Sequence, residues 1–391
     1  MALNNFPYKD TIHRCFRCGY CKFPVNWMDV NNCPPYARFR MESYSCGGRL
    51  WLTRAWLNDQ LEWSEHFAEI LYSCTTCKNC EIKCPLRFNV DIVNMVVAAR
   101  NIMVEGGRIP KPVKSFLQNI EIYGNPYGLG RSHRGTWAEE NGVERYKDQE
   151  YLLYAGCAGS YDERAKKALK ALSRLFKQAG LSFGILGNEE NCDGNEVKSL
   201  GEKGLFDMLA ETNINLFKKH KIKNIITFSP HAYNTFKNYY PEYGGDFSVF
   251  HYAHILQMLI VEGKIKFIET HKIKVTFHDP CFLGRWNNEY EIPRKIINAV
   301  PGMELMEMKK NREGSLCCGG GAGNFSIDLL GGKGSPARRR IREACEVGAH
   351  VLITTCPKCL IMLNNAVKEE DLEGHIAVRD LSEIVLDACK R

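Results

Sequence analysis

Five of the eighteen cysteines in this 391-residue chain set the tightest condition on its fold. Cys281 is followed, after 35 residues, by the adjacent pair Cys317-Cys318 and Gly319; a further 36 residues lead to Cys356-Pro357-Lys358-Cys359. Adjacent cysteines chelate one metal ion poorly because their side chains diverge, yet they can reach two different irons of one cluster. Thiolates are the ligands that select iron-sulfur clusters and zinc. Zinc normally takes four ligands, so the fifth thiol points to iron. The run Gly319-Gly320-Gly321-Ala322-Gly323 lets the backbone approach a wrapped inorganic core and adopt positive φ. The alternatives are a buried structural zinc site, or buried free cysteines.

This arrangement resembles the cysteine-rich "CCG" domain of heterodisulfide reductase B- and D-type subunits. The resemblance implies that Cys281, Cys317, Cys318, Cys356 and Cys359 together hold a non-cubane 4Fe-4S cluster that works on a disulfide or thiol substrate.

The N-terminal region carries a second pattern. Cys15, Cys18 and Cys21 are each two residues apart; Cys74, Cys77 and Cys80 repeat that spacing, and Cys84-Pro85 follows. The latter run is the bacterial ferredoxin pattern, whose fourth cysteine ligates the other cluster. By that cross-over, Cys84 completes the set of Cys15, Cys18 and Cys21. Cys33, also followed by proline, completes the set of Cys74, Cys77 and Cys80. Eleven residues, 22–32, separate Cys21 from Cys33 where the compact pattern has three. Cys46 competes with Cys33 for this place, and one or two zinc sites are the alternative to iron. Leu50, Leu57, Leu61 and Ile70, with Trp51, Trp56 and Trp63, predict two helices over residues 50–71, parted near Asn58-Asp59, the tryptophans being core. Residues 90–104 predict another, ending at Gly106-Gly107. Residues 1–120 thus read as a helix-rich ferredoxin-like domain with two cubane 4Fe-4S clusters, similar to the C-type heterodisulfide reductase subunit. Residues 121–150, rich in Gly, Tyr, Asn and charge, read as a linker over the surface.

Beyond residue 150, short apolar runs alternate with amphipathic ones. Strands are predicted at 151–154, 185–186, 224–228, 274–277 and 351–354, and helices at 163–179 and 205–219. The alternation argues an α/β domain with a largely parallel sheet. Ligands in such folds gather at strand C-terminal ends, and Cys157, Cys281 and Cys356 each follow a strand. The region repeats internally: the approach to Cys157 matches that to Cys281, and Ser229-Pro230 matches Cys356-Pro357. The fold class expected is therefore an α-helical two-cluster ferredoxin-like domain followed by an α/β domain with two pseudo-repeated CCG halves, 151–265 and 266–391. The first half is degenerate. Cys192-Asp193-Gly194 replaces the adjacent pair, and Ser229-Pro230-His231-Ala232 replaces Cys-Pro-x-Cys. Cys157, Cys192, Asp193 and His231 could hold a zinc or a mononuclear iron. They could also be a relic packed as core, or one wall of a substrate pocket. In the intact half, His278 is a candidate proton donor near the cluster, with Asp279 orienting it, or simply a histidine satisfied at a strand end. Cys345 and Cys389 have no assigned role.

Composition narrows the rest. With 45% hydrophobic and 25% charged residues, the chain has a globular make-up. It has no uncharged apolar stretch long enough to span a bilayer, and residues 1–10 lack the basic-then-apolar order of a secretory signal. So many cysteines in a cytoplasmic-looking chain are expected to be metal ligands rather than disulfides. The net charge of +7 is modest. Arg338-Arg339-Arg340 is expected on a solvated helix face, and no nucleic-acid partner is indicated. The family resemblance implies an iron-sulfur electron-transfer subunit of a cytoplasmic redox complex. Electrons would pass from a flavoprotein partner, through the two cubane clusters, to the site at Cys281 to Cys359, with any membrane association made through a partner. A catalytic subunit reducing a heterodisulfide such as CoB-CoM, and a zinc-bearing assembly subunit, are the rival readings.

Overall fold

Three runs of the chain, 6–22, 32–86 and 91–389, are described by the computed structural model. Most of the 22–32 insertion, the first residues of the N-terminus, and Val90 lie outside them. Apolar residues at helical spacing build the first region. The helix Cys46–Leu57 starts at Ser45, whose Oγ accepts the Gly48 N–H, and Glu65–Tyr72 starts at Ser64, which accepts from Phe67. They part at the expected place. Ile92–Glu105 and Lys111–Tyr123 complete the set. Their inner faces share one core, with Leu50, Leu57, Phe67, Leu71, Met95 and Phe116 against Val197, Leu200 and Phe206 of the later chain. The two regions are therefore one packed body. Arg100 fastens the seam: fully buried, it donates to the carbonyls of Ser199 (2.7 Å), Leu71 (2.8 Å) and Cys74 (2.6 Å). Of the tryptophans expected in the core, Trp56 is buried, but Trp51 is 37% exposed. Its Nε1–H donates to the Cys15 carbonyl at 2.6 Å, and Arg17 lies over its ring.

The second region consists of two parallel sheets with the same plan. β1 (Tyr151–Tyr154), β2 (Phe183–Gly184), β3 (Asn224–Thr227) and β4 (Ser248–His251) stand in the order β2-β1-β3-β4. β5 (Ile273–Phe277), β6 (Met303–Leu305), β7 (Val351–Thr354) and β8 (Ala377–Asp380) stand in the order β6-β5-β7-β8. The internal repeat of the sequence is thus a repeat of topology. All six pairings are parallel, with Tyr151 opposite Asn224 and Val275 opposite Val351. The central strands β1 and β7 are buried along their length, as parallel strands covered on both faces must be. β2 lies two residues before the predicted 185–186, where Ile185 only bridges to Arg145. The helices at 163–179 and 205–219 are found as Glu163–Gln178 and Lys203–Lys219.

Two expectations are corrected. The 121–150 segment does more than wrap the surface, because Arg134 and Trp137 from it are each 1% exposed. Nor does the arginine run lie on a solvated face. Consecutive residues on the helix Pro336–Glu346 point about 100° apart, and Arg340 turns fully inward.

Candidate metal centre

The intact motif sits beyond the C-terminal ends of the parallel neighbours β5 and β7. Cys281 begins the turn after β5, and Cys356 is the N-cap of the helix Pro357–Glu369, directly after β7. That puts its sulfur at the positive end of a helix dipole. Cys317 and Cys318 arrive on the loop before the short helix Asn324–Ile327. All five thiols are buried and free of disulfides. The Cys318 and Cys359 sulfurs are 3.3 Å apart, and a His278 ring nitrogen joins them within a 4.8 Å group. Cys317 accepts the Gly319 N–H at 3.3 Å. Hydrogen bonds from Cys317 and Cys359, then His278, hold Cys318 well below the ordinary thiol range. Burial opposes ionisation of Cys356, but bonds to Cys359 and His231 outweigh it and carry the thiol well below that range. Cys317 is pushed well above that range by its bonds to Cys281 and then Cys318, and Cys359 by its bonds to Cys318 and then Cys356. A buried set of five sulfurs, two of them already favouring the thiolate, matches the donor chemistry of a cluster with several soft cations.

His278 does sit at this site, but Asp279 does not orient it. The Asp279 carboxylate is held by the Arg294 guanidinium at 2.6 and 3.0 Å and by the Arg312 N–H at 2.8 Å. The residue on His278 is Arg340, whose Nε lies 3.2 Å from Nδ1. Sequence spacing favoured the neighbour; the fold supplies an arginine 62 residues away.

In the N-terminal region Cys15, Cys18, Cys21, Cys46 and Cys84 line one small cavity. Cys84 therefore faces the first triplet, as the cross-over expects. Cys46 hydrogen-bonds both Cys21 and Cys80, so it stands between the two triplets. Cys33 is buried, 3.4 Å from an Arg49 nitrogen, and Arg49 also feels the charges of Cys74 and Cys46. Burial pushes the Cys33 thiol up to about 12 against the pull of Arg49.

The two thiol regions touch. Cys77 packs with Cys281, Phe282 and Cys317 in one buried cluster, and its thiol hydrogen-bonds that of Cys317. Thr75 Oγ1 is 3.7 Å from the Cys317 sulfur. The seam is pinned by the residues after Cys281. Arg285 donates to the Cys77 carbonyl at 2.6 Å and to the Ser315 carbonyl at 2.8 Å. Trp286 donates to the Thr76 carbonyl at 2.9 Å, stacks on Phe282, and lies under the Lys78 ammonium. No sequence pattern announces these contacts across the seam, because each joins residues about two hundred positions apart.

The degenerate half is filled by its own side chains. Arg134 places both terminal nitrogens 3.6 Å from the Cys157 sulfur, pairs with Glu190 at 2.9 Å, and donates to the Asn191 carbonyl at 2.8 Å. Glu190 also accepts the Ala155 and Gly156 N–H groups at 3.0 and 2.9 Å. A hydrogen bond from Cys192, then Arg134, lowers the Cys157 thiol pKa against burial. A metal here would compete with a permanent, fully paired cation. Nor does His231 join Cys157 and Cys192, as the sequence allowed. It crosses towards the intact site, where its ring lies tilted over that of Phe282, 4.1 Å between ring centres, and its Nδ1 is 2.7 Å from Glu196 Oε1. The wall of Cys157, Cys192, Asp193, Ser229, Pro357 and Lys358 borders a cavity of about 20 Å³, room for about one water.

Comparison with known proteins places both cysteine-bearing regions in described families. A family described as "Cysteine-rich domain" matches residues 151–237 and 275–364, and one described as "4Fe-4S dicluster domain" matches residues 11–88. The chain is 36% identical over 335 residues to the EtfAB:quinone oxidoreductase of Syntrophomonas wolfei, a match covering 82% of this chain and 47% of that protein. It is 28% identical over 401 residues to the D-type subunit of the dihydromethanophenazine:CoB–CoM heterodisulfide reductase of Methanosarcina barkeri, covering 96% and 93%. The chain spans about half the length of several of the curated relatives it matches. A hypothetical protein from Helicobacter pylori shares the fold, with a TM-score of 0.58 at 11% identity over 91% of this chain and 70% of that one. No described helix is long and apolar enough to cross a membrane. With the cysteine-rich model matched twice, the dicluster model matched once and a heterodisulfide reductase D-type subunit aligned over nearly the whole chain, the chain belongs to the heterodisulfide reductase D-type family of iron-sulfur oxidoreductase subunits.

Proposed function

We propose that the chain is the electron-carrying subunit of a cytoplasmic redox complex, taking electrons from a flavoprotein partner at the N-terminal thiols and presenting them at Cys281, Cys317, Cys318, Cys356 and Cys359. The observation that carries this reading is the contact of Cys77 with Cys281 and Cys317. It puts the two thiol regions in line without intervening solvent. When bound, two cubane 4Fe-4S clusters and one non-cubane 4Fe-4S cluster supply one-electron carriers. Cys15, Cys18, Cys21 and Cys84 would hold the first, Cys74, Cys77, Cys80 and Cys33 the second, and the five CCG thiols the third. Residues 1–120, 151–265 and 266–391 then act as donor domain, cap and terminal domain.

The chain's own residues give this line a direction. Cys15, Cys18, Cys21 and Cys84 are all half-buried, while of the second set Cys33, Cys74 and Cys77 are buried and Cys80 is half-buried. Phe16, Tyr20 and Leu86 beside the first set are exposed, Phe16 by 62%, which suits a partner's docking face. Phe282 and Trp286 pack over the contact of Cys77 with Cys281 and Cys317, and Arg285 fixes it. The filled degenerate half argues against a clamp of two facing clusters on a disulfide. Passage of electrons to a further acceptor, as the name of the Syntrophomonas relative describes for quinone, is the reading preferred over a self-sufficient disulfide reductase.

Iron and acid-labile sulfide analysis of the anaerobically purified chain tests the proposal. About twelve irons with matching sulfide are expected. A colourless protein holding only zinc would support an assembly subunit instead.

A further inference from the structure

Burying a charge costs free energy unless an opposite charge sits beside it. Among the described residues six lysine and arginine side chains are buried, and four of them have a carboxylate at hand. Arg134 pairs with Glu190 at 2.9 Å, Arg294 with Asp279 at 2.6 Å, Arg340 with Glu343 at 2.6 Å, and Lys358 with Glu196. The other two, Arg49 and Arg100, pair with no carboxylate among the described residues. The half-buried Arg285 shares this condition, since all its bonds go to carbonyls.

All three guanidinium groups lie on one thiol set. Arg49 Nη2 is 3.4 Å from the Cys33 sulfur, and its Nη1 donates to the Tyr44 carbonyl at 2.6 Å. Arg100 donates to the Cys74 carbonyl and Arg285 to the Cys77 carbonyl, each at 2.6 Å. Carbonyl oxygens satisfy N–H groups but leave a whole positive charge uncancelled. Each group also keeps one buried nitrogen with no partner among the described residues: Nε of Arg49, Nε of Arg100 and Nη2 of Arg285. Beside the first thiol set the arginine is Arg17, exposed over the Trp51 ring, where water and salt screen its charge. The charge that balances the three buried groups therefore has to come from Cys33, Cys74, Cys77 and Cys80. Thiolates around iron supply negative charge there, and net charge and solvent exposure are among the factors that set a cluster's potential. Reduction adds one more negative charge. Burial alone opposes that step, whereas three fixed cations at low dielectric favour it. Arginine stays protonated throughout, so the effect needs no titration.

We propose that Arg49, Arg100 and Arg285 are positioning residues that raise the reduction potential of the group bound by Cys33, Cys74, Cys77 and Cys80 above that of the group at Cys15, Cys18, Cys21 and Cys84. An electron that enters at the half-buried first set then comes to rest on the second, where Cys77 packs against Cys281 and Cys317. This rests on the proposed function, since it takes both N-terminal sets to hold iron-sulfur clusters.

The test is a redox titration of the full, anaerobically reconstituted chain, followed by low-temperature electron paramagnetic resonance. The second N-terminal signal is the one that Cys74→Ala removes. In the native chain it should titrate at higher potential than the first. In Arg285→Gln, which keeps a donor and loses the charge, its oxidised-to-reduced ratio at the native midpoint should rise about tenfold, a downward shift of about 59 mV for one electron. The first signal should not move, and Arg285→Lys, which keeps the charge, should recover most of the shift. Arg49→Gln should lower the same midpoint, and carries the test should Arg285→Gln not fold. Arginines that only hold loops together would alter stability and leave the midpoints in place. A second signal at or below the first in the native chain, or a midpoint unshifted in both glutamine variants, overturns the inference alone. Loss of the second signal in both variants also overturns it, because the arginines would then build the site rather than tune it. A native chain with fewer than two N-terminal signals, or a Cys74→Ala chain that keeps both, overturns the proposed function and this inference together.

Discussion

Gly321 lies directly against the carbonyl of Thr75: a Cβ built on this glycine would come 2.3 Å from that oxygen. The third glycine of the CCG loop is therefore the point where the terminal domain receives the ferredoxin loop, two residues from Cys77. The glycine run serves close approach to another backbone here, in addition to the inorganic core expected from the sequence. Gly321→Ala should push the two loops apart at a cost of about 1–3 kcal/mol. Electrons delivered to the N-terminal thiol set should then reach the C-terminal one at least tenfold more slowly, read by freeze-quench spectroscopy after rapid reduction. Unchanged transfer would show that the contact carries nothing.

Cys33 and Cys46 compete for one place, and a pair of single substitutions separates them. Cys33 precedes Pro34 and lies beside Arg49, whereas Cys46 bridges Cys21 and Cys80. Cys33→Ala should lower the iron content by about four atoms, and Cys46→Ala should leave it near the native value. The reverse pattern would give the ligand role to Cys46.

Serine in place of Cys318 tests the five-thiol arrangement. Its hydroxyl is a harder and less acidic ligand than a thiol. Cys318→Ser should lose or convert the C-terminal signal while the N-terminal signals survive, leaving a protein that accepts electrons but does not pass them on. A normal C-terminal spectrum with normal turnover would remove Cys318 from the ligand set.

Asp380 makes stability depend on pH away from any cluster. Burial raises its pKa from 3.8 to about 7, while bonds from Ser382 and Tyr252 pull the other way. Between about pH 4 and about pH 7 the folded carboxyl keeps its proton and the unfolded one has lost it, so the native state binds more protons. Stability therefore falls as pH rises through this window, by up to roughly 4 kcal/mol, and levels off above it. Asp380→Asn should flatten the profile in denaturant titrations of the native and variant proteins at a series of pH values. An equal slope in both would assign the dependence to another group.

Much of this architecture was legible in the sequence, and for identifiable reasons. Cysteine spacing survives any fold, so both thiol patterns and the damaged repeat could be read directly. The central strands β1, β3, β5 and β7 are apolar enough to show. The outer strands β4, β6 and β8 were missed because Ser248–His251, Met303–Leu305 and Ala377–Asp380 are three or four residues long with polar members, too short for a period. The residues that surround the thiols were also missed or misassigned. Arg340 on His278, Arg134 on Cys157, Glu196 between His231 and Lys358, and Arg285 on Cys77 are charged residues held by distant partners. A single sequence read by periodicity assigns such residues to solvent, since only the assembled fold brings their partners into reach.

Anomalous diffraction at the iron edge from crystals of the anaerobically purified chain tests the central claim most directly. The account predicts iron in three places: among Cys15, Cys18, Cys21 and Cys84; among Cys33, Cys74, Cys77 and Cys80; and among Cys281, Cys317, Cys318, Cys356 and Cys359. Between Cys157 and Cys192, where Arg134 supplies the positive charge, it predicts none. Iron at Cys157 and Cys192, or none beside Cys318, would contradict it.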